Sequence, residues 1–215
     1  MLRLSVVSFA AGLCLAGPVL AHDGEDHGAA GADPAWRPPA AAVPPAAFGL
    51  DVGGPFELVD HEGRAFTDAD LKGGFSLVFF GYARCEGICP LGLRRMTEAV
   101  ELLGPEGAGV RPVLITVDPL ETPRMMAELA AELHPRLVGL TGTAEQLKAA
   151  AKAYKVDSSR VGTAMDGTPV FQHGSYIYLM DPAGKLLSVL PPVLPADAMA
   201  EVLRRHLNAA PGAEG

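Results

Sequence analysis

Two closely spaced cysteines carry the strongest chemical signal in this sequence. Cys85 and Cys89 follow an apolar run at 75–80 that predicts a buried strand, and Pro90 then predicts the start of a helix. A helix N-terminus favours the thiolate form of a nearby cysteine, because the helix dipole stabilises negative charge there. If the loop makes roughly one helical turn, the two side chains start about 5–6 Å apart. This spacing suits a disulfide, and it suits equally two thiolates that bind one soft metal ion.

A metal ion held by two thiolates needs a third ligand, and histidine is the natural candidate. His173 lies just before an apolar strand predicted at 176–180, so its loop can reach the sheet edge that carries the cysteines. Spacing alone makes His173 a candidate and does not assign it. The other histidines of the globular region are expected at the surface: His61 in a hairpin turn, His134 at a helix end and His206 on the last helix. A structural disulfide or two inert thiols is the simpler alternative for the cysteines.

Strands and helices alternate from residue 48 onward, which predicts an α/β domain with a central, partly parallel sheet. Strands are predicted at 56–59, 64–66, 75–80, 110–117, 137–140, 176–180 and 186–189. Helices are predicted at 90–103, 123–133, 143–154 and 196–208, and the first is expected to bury Leu91, Met96, Val100 and Leu103. The first two strands form an N-terminal hairpin. The cysteines fall at the carboxyl edge of the parallel strands, where ligand sites collect in α/β sheets.

Residues 1–21 have the pattern of a secretory signal peptide. A single charge, Arg3, precedes an apolar stretch that ends at Ala21, with small residues at the positions −1 and −3 from the cleavage site. An uncleaved membrane anchor is the alternative, but Pro18 and the weakly apolar composition argue against it. Cleavage would leave Cys85 and Cys89 as the only cysteines of the exported chain.

We predict that the mature protein begins at His22 and is released into the periplasm. The reason is the small-residue site before it, which signal peptidases recognise. Mass spectrometry of the exported protein checks this prediction. A full-length chain that still carries Arg3 and is extracted only with the membrane fraction would contradict it.

Residues 22–47 are rich in Pro, Ala and acidic residues and show no apolar periodicity, so we expect a disordered tether before the domain at 48–208. His22 and His27 lie among acids and can bind a metal weakly, although a solvated polar tail is the simpler interpretation. Residues 209–215 are expected to form a flexible tail.

The composition excludes several function classes. The chain has 17 Lys and Arg against 25 Asp and Glu, a net charge of −8, which is unsuited to binding the phosphate backbone of nucleic acids. Hydrophobic residues make up 49% of its 215 residues, enough for one domain with a substantial core. Three cysteines are too few for a disulfide-stabilised scaffold.

Three motifs in order resemble the Sco/SenC family over about residues 48–208. They are Phe80-Gly-Tyr-Ala-Arg-Cys85 continuing to Cys89-Pro90, Val117-Asp118-Pro119 with Thr122-Pro123, and His173-Gly-Ser-Tyr-Ile-Tyr-Leu-Met-Asp-Pro-Ala-Gly184. The resemblance implies a thioredoxin-like fold with a central mixed sheet flanked by helices, and an extracytoplasmic location. It also implies that Cys85, Cys89 and His173 bind copper, Cu(I) or Cu(II). The implied partner is cytochrome c oxidase subunit II, whose dinuclear copper site such proteins help to assemble, or another copper-trafficking protein.

The chain departs from the family pattern beside the implied ligands. Gln172 stands where the family often has Asp before the histidine, and Gly174 stands where Ser or Thr is usual. The loop at 86–88 reads Glu-Gly-Ile where Pro-Asp-Val is common. These changes leave the ligands in place and concern the groups that tune them.

Several functions remain compatible with these residues. A copper metallochaperone needs Cys85, Cys89 and His173 as metal ligands. A thiol–disulfide oxidoreductase acting on the cysteines of the oxidase subunit needs Cys85 and Cys89 as its catalytic pair and does not need His173. A redox or copper sensor, which can use a sulfenic intermediate, and a zinc site with two Cys and one His are further alternatives. Of these, only the oxidoreductase is clearly an enzyme, and the chaperone interpretation is favoured.

Overall fold

The computed structural model describes residues 51–209, and its centre is a seven-stranded mixed sheet. The strands are β1 (Glu57–Asp60), β2 (Ala65–Thr67), β3 (Phe75–Gly81), β4 (Val110–Thr116), β5 (Val138–Thr141), β6 (Ser158–Thr163), β7 (Pro169–His173), β8 (Ile177–Met180) and β9 (Leu186–Leu190). The helices are α1 (Ile88–Leu102), α2 (Pro123–Leu133), α3 (Ala144–Ala153) and α4 (Ala196–Ala209), with short 3₁₀ turns at Asp68–Leu71 and Gly104–Gly109. None of the helices within this range is long and apolar enough to cross a membrane.

The strand order is β2-β1-β5-β4-β3-β8-β9, with β6 and β7 forming a separate two-stranded sheet. The three central strands β5, β4 and β3 run parallel, and the outer strands pair antiparallel. All seven residues of β3 are buried, as its uninterrupted apolar run predicts for a strand covered on both faces. The predicted mixed α/β sheet flanked by helices, with an N-terminal hairpin, is therefore confirmed.

Alternate residues of β3 face two different cores, because successive strand side chains point to opposite faces. Leu77 and Phe79 pack in the core that also receives apolar residues of α1, α2 and α4. Val78 and Phe80 pack in the core on the other face, which includes residues of α3 and of the N-terminal hairpin. Cys89 belongs to the first of these cores, so the start of α1 is anchored directly against the sheet.

Helix α1 begins two residues earlier than predicted, at Ile88, which places Cys89 inside its first turn. Pro90 is tolerated there, since the N–H groups of the first turn have no partner within the helix. The expectation that Leu91 is buried is wrong: it is 38% exposed, and Leu93 lies in the core instead. Met96, Val100 and Leu103 are buried as predicted, and helical spacing continues this stripe back through Leu93 and Cys89 rather than through Leu91.

The hairpin of β6 and β7 is the main element that the sequence analysis missed. Residues 170–173, interpreted there as part of a loop, form most of β7 and pair with β6 in the register Ser158 with His173. Five of the six residues of β6 are exposed, so no apolar pattern marks it as a strand. The hairpin matters for function because His173 is the last residue of β7. The predicted signal peptide (1–21), tether (22–47) and most of the tail (210–215) lie outside the described residues.

Candidate metal centre

The two cysteines lie where β3 gives way to α1. Cys85 is half-buried in the connecting loop, and Cys89, the second residue of α1, is fully buried. Gly81 makes this close packing possible, because a Cβ there would lie 3.0 Å from the Phe79 ring and 3.4 Å from the Cys89 sulfur. Both cysteines are free thiols, as a site that binds metal or exchanges disulfides requires.

His173 completes a group of three side chains that can hold a metal ion. Its Nε2 lies 3.3 Å from the Sγ of Cys89, and one donor atom from each of Cys85, Cys89 and His173 falls within 4.8 Å of the others. The structure thus brings together the three residues that the sequence singled out. They form the only group of three His, Cys, Asp or Glu side chains in residues 51–209 with such geometry.

The main chain orients the His173 ring. Its Nδ1 lies 3.1 Å from the carbonyl oxygen of Gly174, with the Ser175 hydroxyl oxygen at 3.4 Å. A carbonyl oxygen only accepts hydrogen bonds, so this contact favours the tautomer that carries the ring proton on Nδ1, in which the Nε2 lone pair faces the Cys89 sulfur. Gln172, which replaces the acidic residue usual in the family, is exposed. The Gly174 carbonyl therefore supplies the orienting contact to the ring that metal-binding histidines usually have.

Tyr82, the first residue after β3, connects this strand to β7. Its ring packs edge-on against His173, with centroids 6.0 Å apart, and against Phe171, at 5.4 Å. Its hydroxyl oxygen accepts a long hydrogen bond of 3.5 Å from the Phe171 N–H. Tyr82 therefore packs the strand that carries His173 against the segment that carries Cys85.

The two thiols differ in acidity. Hydrogen bonding to the Cys89 thiol, opposed by partial burial, lowers the pKa of Cys85 to about 4. The same interaction, together with burial, raises the pKa of Cys89 well above its usual range. Of the two thiols in the metal-free pair, Cys85 is thus the more acidic, and its sulfur is also the more accessible one. Binding a metal ion to both sulfurs must displace the proton of Cys89.

A cleft of about 660 Å³ opens beside the cysteines. The loop of Cys85 forms one wall and the β6–β7 hairpin forms the other, with charged side chains from both: Arg84, Glu86 and Asp166. Cys85 and His173 line this cleft, whereas Cys89 does not. A partner molecule can therefore approach Cys85 and His173 directly.

The other histidines of the described region have structural contacts instead. His61 accepts the Gly139 N–H through its Nδ1, and the Nε2 of His206 lies 3.1 Å from the Ser188 hydroxyl oxygen. The prediction that His134 lies at the surface is wrong, since it is 6% exposed. Its Nδ1 accepts the Arg136 N–H, because the turn after α2 folds the ring inward.

Glu121 is a residue near the site that the sequence analysis missed. Its side chain is 4% exposed, and its carboxylate accepts hydrogen bonds from the Ala83 N–H at 2.6 Å and from the Thr116 hydroxyl at 2.5 Å. The neighbouring Asp118, which the family resemblance places near the site, instead accepts the Leu120 N–H within its own turn. The sequence does carry a signal that could have identified Glu121 as a residue near the site. It is an acidic residue that follows β4, and so lies at the same sheet edge as the cysteines.

Burial raises the pKa of Glu121 above its ordinary value of 4.5, against the lowering effect of its hydrogen bonds from Thr116 and Ala83. The folded protein therefore binds the proton more tightly than the unfolded chain does. The stabilisation by this proton is complete below about pH 4.5 and is lost as the pH rises through the higher pKa of the folded state.

We predict that Glu121→Gln raises the melting temperature of the reduced, metal-free protein at pH values above the raised pKa of Glu121, because it removes a buried charge there. Each kcal/mol gained corresponds to about 2–4 °C for a domain of this size. The difference in melting temperature between Glu121→Gln and the wild type should shrink as the pH falls towards 4, where Glu121 is protonated in both the folded and the unfolded chain. Thermal unfolding across this pH range is the measurement. An equal difference at every pH would show that the charge is not responsible.

Comparison with known proteins gives a consistent set of relatives. The SCO1/SenC family model matches residues 44–208. An SCO2-like protein of Rickettsia felis is 41% identical over 140 residues, which cover 64% of this chain and 68% of the relative. The crystal structure of yeast Sco1 with copper bound superposes with a TM-score of 0.70 at 32% identity, covering 77% of this chain and 93% of that one. The copper-bound ScoI of Bradyrhizobium japonicum gives a TM-score of 0.66 at 34% identity, covering 72% and 98%.

Proposed function

Since this chain belongs to the SCO1/SenC family, as its motifs predict, we propose that it is a copper metallochaperone for cytochrome c oxidase assembly. The observation that carries the proposal is the convergence of Cys85, Cys89 and His173, with donor atoms within 4.8 Å of one another. The copper in the solved relatives from yeast and Bradyrhizobium japonicum supports the choice of metal.

The donor set suits copper as a cargo. Two thiolates favour Cu(I), and an added imidazole nitrogen also supports Cu(II), so the site can hold the metal in both oxidation states. Zinc can use the same ligands, but the copper-bound relatives favour copper. His173 presents Nε2 with its lone pair free, because Nδ1 is engaged by the Gly174 carbonyl. No side chain has to change tautomer before the metal binds.

Accessibility suggests an order of events. Cys85 lines the cleft and is the more acidic of the two thiols, so its sulfur meets incoming copper first. Cys89 then releases its proton and binds the metal from the buried side. Transfer follows by stepwise exchange, in which thiolates of the acceptor replace those of Cys85 and Cys89. We propose that the acceptor is cytochrome c oxidase subunit II and that the transfer takes place in the periplasm.

A second activity is favoured by the unequal acidity of the two thiols. The Cys85 thiolate can attack a disulfide of the partner, forming a mixed disulfide and releasing one partner thiolate. Cys89, once deprotonated, then attacks the Cys85 sulfur and releases the second partner thiol. The partner is reduced and Cys85 and Cys89 are oxidised to a disulfide. This thiol–disulfide oxidoreductase activity is compatible with copper delivery, since an acceptor must have reduced cysteines to take the metal.

Deleting the gene tests the proposed function. We expect the deletion strain to assemble cytochrome c oxidase with less copper in subunit II and lower activity, and the wild-type gene to restore both. Normal copper content and normal oxidase activity in the deletion strain would contradict the proposal.

A further inference from the structure

Glu121 reaches from one loop of the sheet edge into another. It lies between β4 and α2, yet its carboxylate oxygen Oε1 accepts the N–H of Ala83 at 2.6 Å. Ala83 is two residues before Cys85, in the loop that joins β3 to α1. The carboxylate is therefore hydrogen-bonded directly to the main chain that carries one of the three proposed copper ligands.

The structure fixes Glu121 from two neighbouring strands. The second carboxylate oxygen, Oε2, accepts the hydroxyl of Thr116, the last residue of β4, at 2.5 Å. The main-chain oxygen of Glu121 accepts the hydroxyl of Thr141, the last residue of β5, at 2.6 Å. All three side chains are buried. Glu121 is thus attached to the rigid parallel strands of the sheet.

The loop that Glu121 contacts packs Ala83 and Cys85 against the core, but it belongs to no helix or strand. Within it, the Cys85 N–H donates to the Tyr82 carbonyl at 3.2 Å. The loop ends at Gly87, which has no side chain to cap α1 and which makes the main chain more pliable. The other two ligands lie in regular secondary structure. Cys89 belongs to helix α1, and His173 belongs to strand β7, which is paired with β6. Cys85 is the one proposed ligand that lies outside a helix or strand, so a hydrogen bond to its loop affects its position more than it would affect the other two.

We propose that Glu121 is a positioning residue that holds the loop of Cys85 so that this sulfur stays within ligand distance of Cys89 and His173. The proposal rests on the proposed copper site for its functional meaning. Its structural part, the restraint of the loop, stands on the hydrogen bond to Ala83. Loss of the carboxylate should free the loop while α1 and β7 keep the other two ligands in place.

The chain offers matched variants to test this inference. Glu121→Ala removes the contact to Ala83, and Glu121→Asp keeps the charge but shortens the side chain, so that the contact is lost or lengthened. Glu121→Gln keeps an acceptor oxygen of the same reach. Thr141→Val is the structural control, since it removes a buried hydrogen bond to the main-chain oxygen of Glu121 and keeps both contacts of the carboxylate, to Ala83 and Thr116.

The first readout needs no copper. In hydrogen-exchange mass spectrometry of the metal-free mature protein, a peptide spanning residues 82–87 should exchange faster in Glu121→Ala and Glu121→Asp than in the wild type. Thr141→Val and Glu121→Gln should exchange in this peptide like the wild type. If the first two variants exchange normally there, the proposal is overturned. If Glu121→Ala fails to fold, Glu121→Asp decides.

The second readout is the copper site itself. We expect Glu121→Ala and Glu121→Asp to lose about 10–100-fold in Cu(I) affinity, the range seen when groups that orient metal ligands are removed. Their sulfur-to-Cu(II) absorption should weaken, whereas Glu121→Gln and Thr141→Val should bind and absorb like the wild type. If Thr141→Val and Glu121→Ala lose Cu(I) affinity equally, the effect is a general loss of structure, and the proposal is overturned. Failure of the wild type to bind copper would contradict the proposed function, and hydrogen exchange would then decide the loop restraint alone.

Discussion

Replacing either cysteine with serine is expected to abolish copper binding at the proposed site. A serine hydroxyl is a hard, neutral donor, whereas Cu(I) prefers soft thiolates, and one remaining thiolate with one imidazole is a poor substitute for the full set. We expect Cys85→Ser and Cys89→Ser to lower bound copper from one ion per chain to background. Elemental analysis after dialysis against a weak chelator measures this.

The two substitutions should differ in their effect on stability. Cys89 is fully buried in the core, so Cys89→Ser places a smaller and more polar side chain there and should lower the free energy of unfolding. Cys85 is half-buried, so Cys85→Ser should lower the free energy of unfolding less than Cys89→Ser does. Glu86→Ser is the matched control, because it introduces the same residue at an exposed position of the same loop and should leave copper binding intact. Full copper loading of either cysteine variant would contradict the assignment of that sulfur.

The loss of His173 should separate the two oxidation states of copper. We expect His173→Ala to abolish the intense sulfur-to-Cu(II) charge-transfer bands, while Cu(I) binding falls less, because two thiolates still hold Cu(I) in low coordination. The thiols remain, so the reduced protein should still reduce a small disulfide substrate, with Cys85 and Cys89 oxidised to a disulfide and the substrate released as two thiols. Gln172→Ala, at the exposed neighbouring position, is the control and should keep the bands. A normal Cu(II) spectrum in His173→Ala would remove His173 from the ligand set.

The same variant distinguishes the two proposed activities in cells. A copper chaperone needs His173, so the His173→Ala gene should fail to restore oxidase activity to the deletion strain. A pure disulfide reductase needs only the two cysteines, and the variant gene would then restore activity at matched expression. Restoration of oxidase activity by the His173→Ala gene would indicate that this chain acts as a disulfide reductase rather than as a copper chaperone.

The sequence predicted those parts of the fold in which local pattern and tertiary environment agree. The apolar run of β3, with Pro90 shortly after it, located the strand, the loop and the helix that hold Cys85 and Cys89. The β6–β7 hairpin was missed because β6 is exposed and its polar residues resemble a loop. Residue spacing made His173 only a candidate ligand, and the family resemblance was needed to name it, since main-chain pairing in this hairpin brings it to Cys89.

Long-range burial was beyond the reach of local pattern. A glutamate between a strand and a helix resembles a solvated loop residue, and the burial of Glu121 arises only when the Thr141 and Ala83 segments close over it. His134 was misplaced for a related reason. It follows a helix and precedes a proline, a typical surface position, but its ring folds inward and accepts a main-chain N–H.

X-ray absorption spectroscopy of the reduced protein loaded with Cu(I) is the most direct test of the ligand set Cys85, Cys89 and His173, because it identifies and counts the atoms bound to the metal. We expect two sulfur atoms and one imidazole nitrogen in the wild type. In His173→Ala we expect the imidazole signal to be lost and both sulfurs to be retained. Copper bound only by nitrogen and oxygen atoms, or bound with both thiols still free to react with an alkylating reagent, would contradict this ligand set.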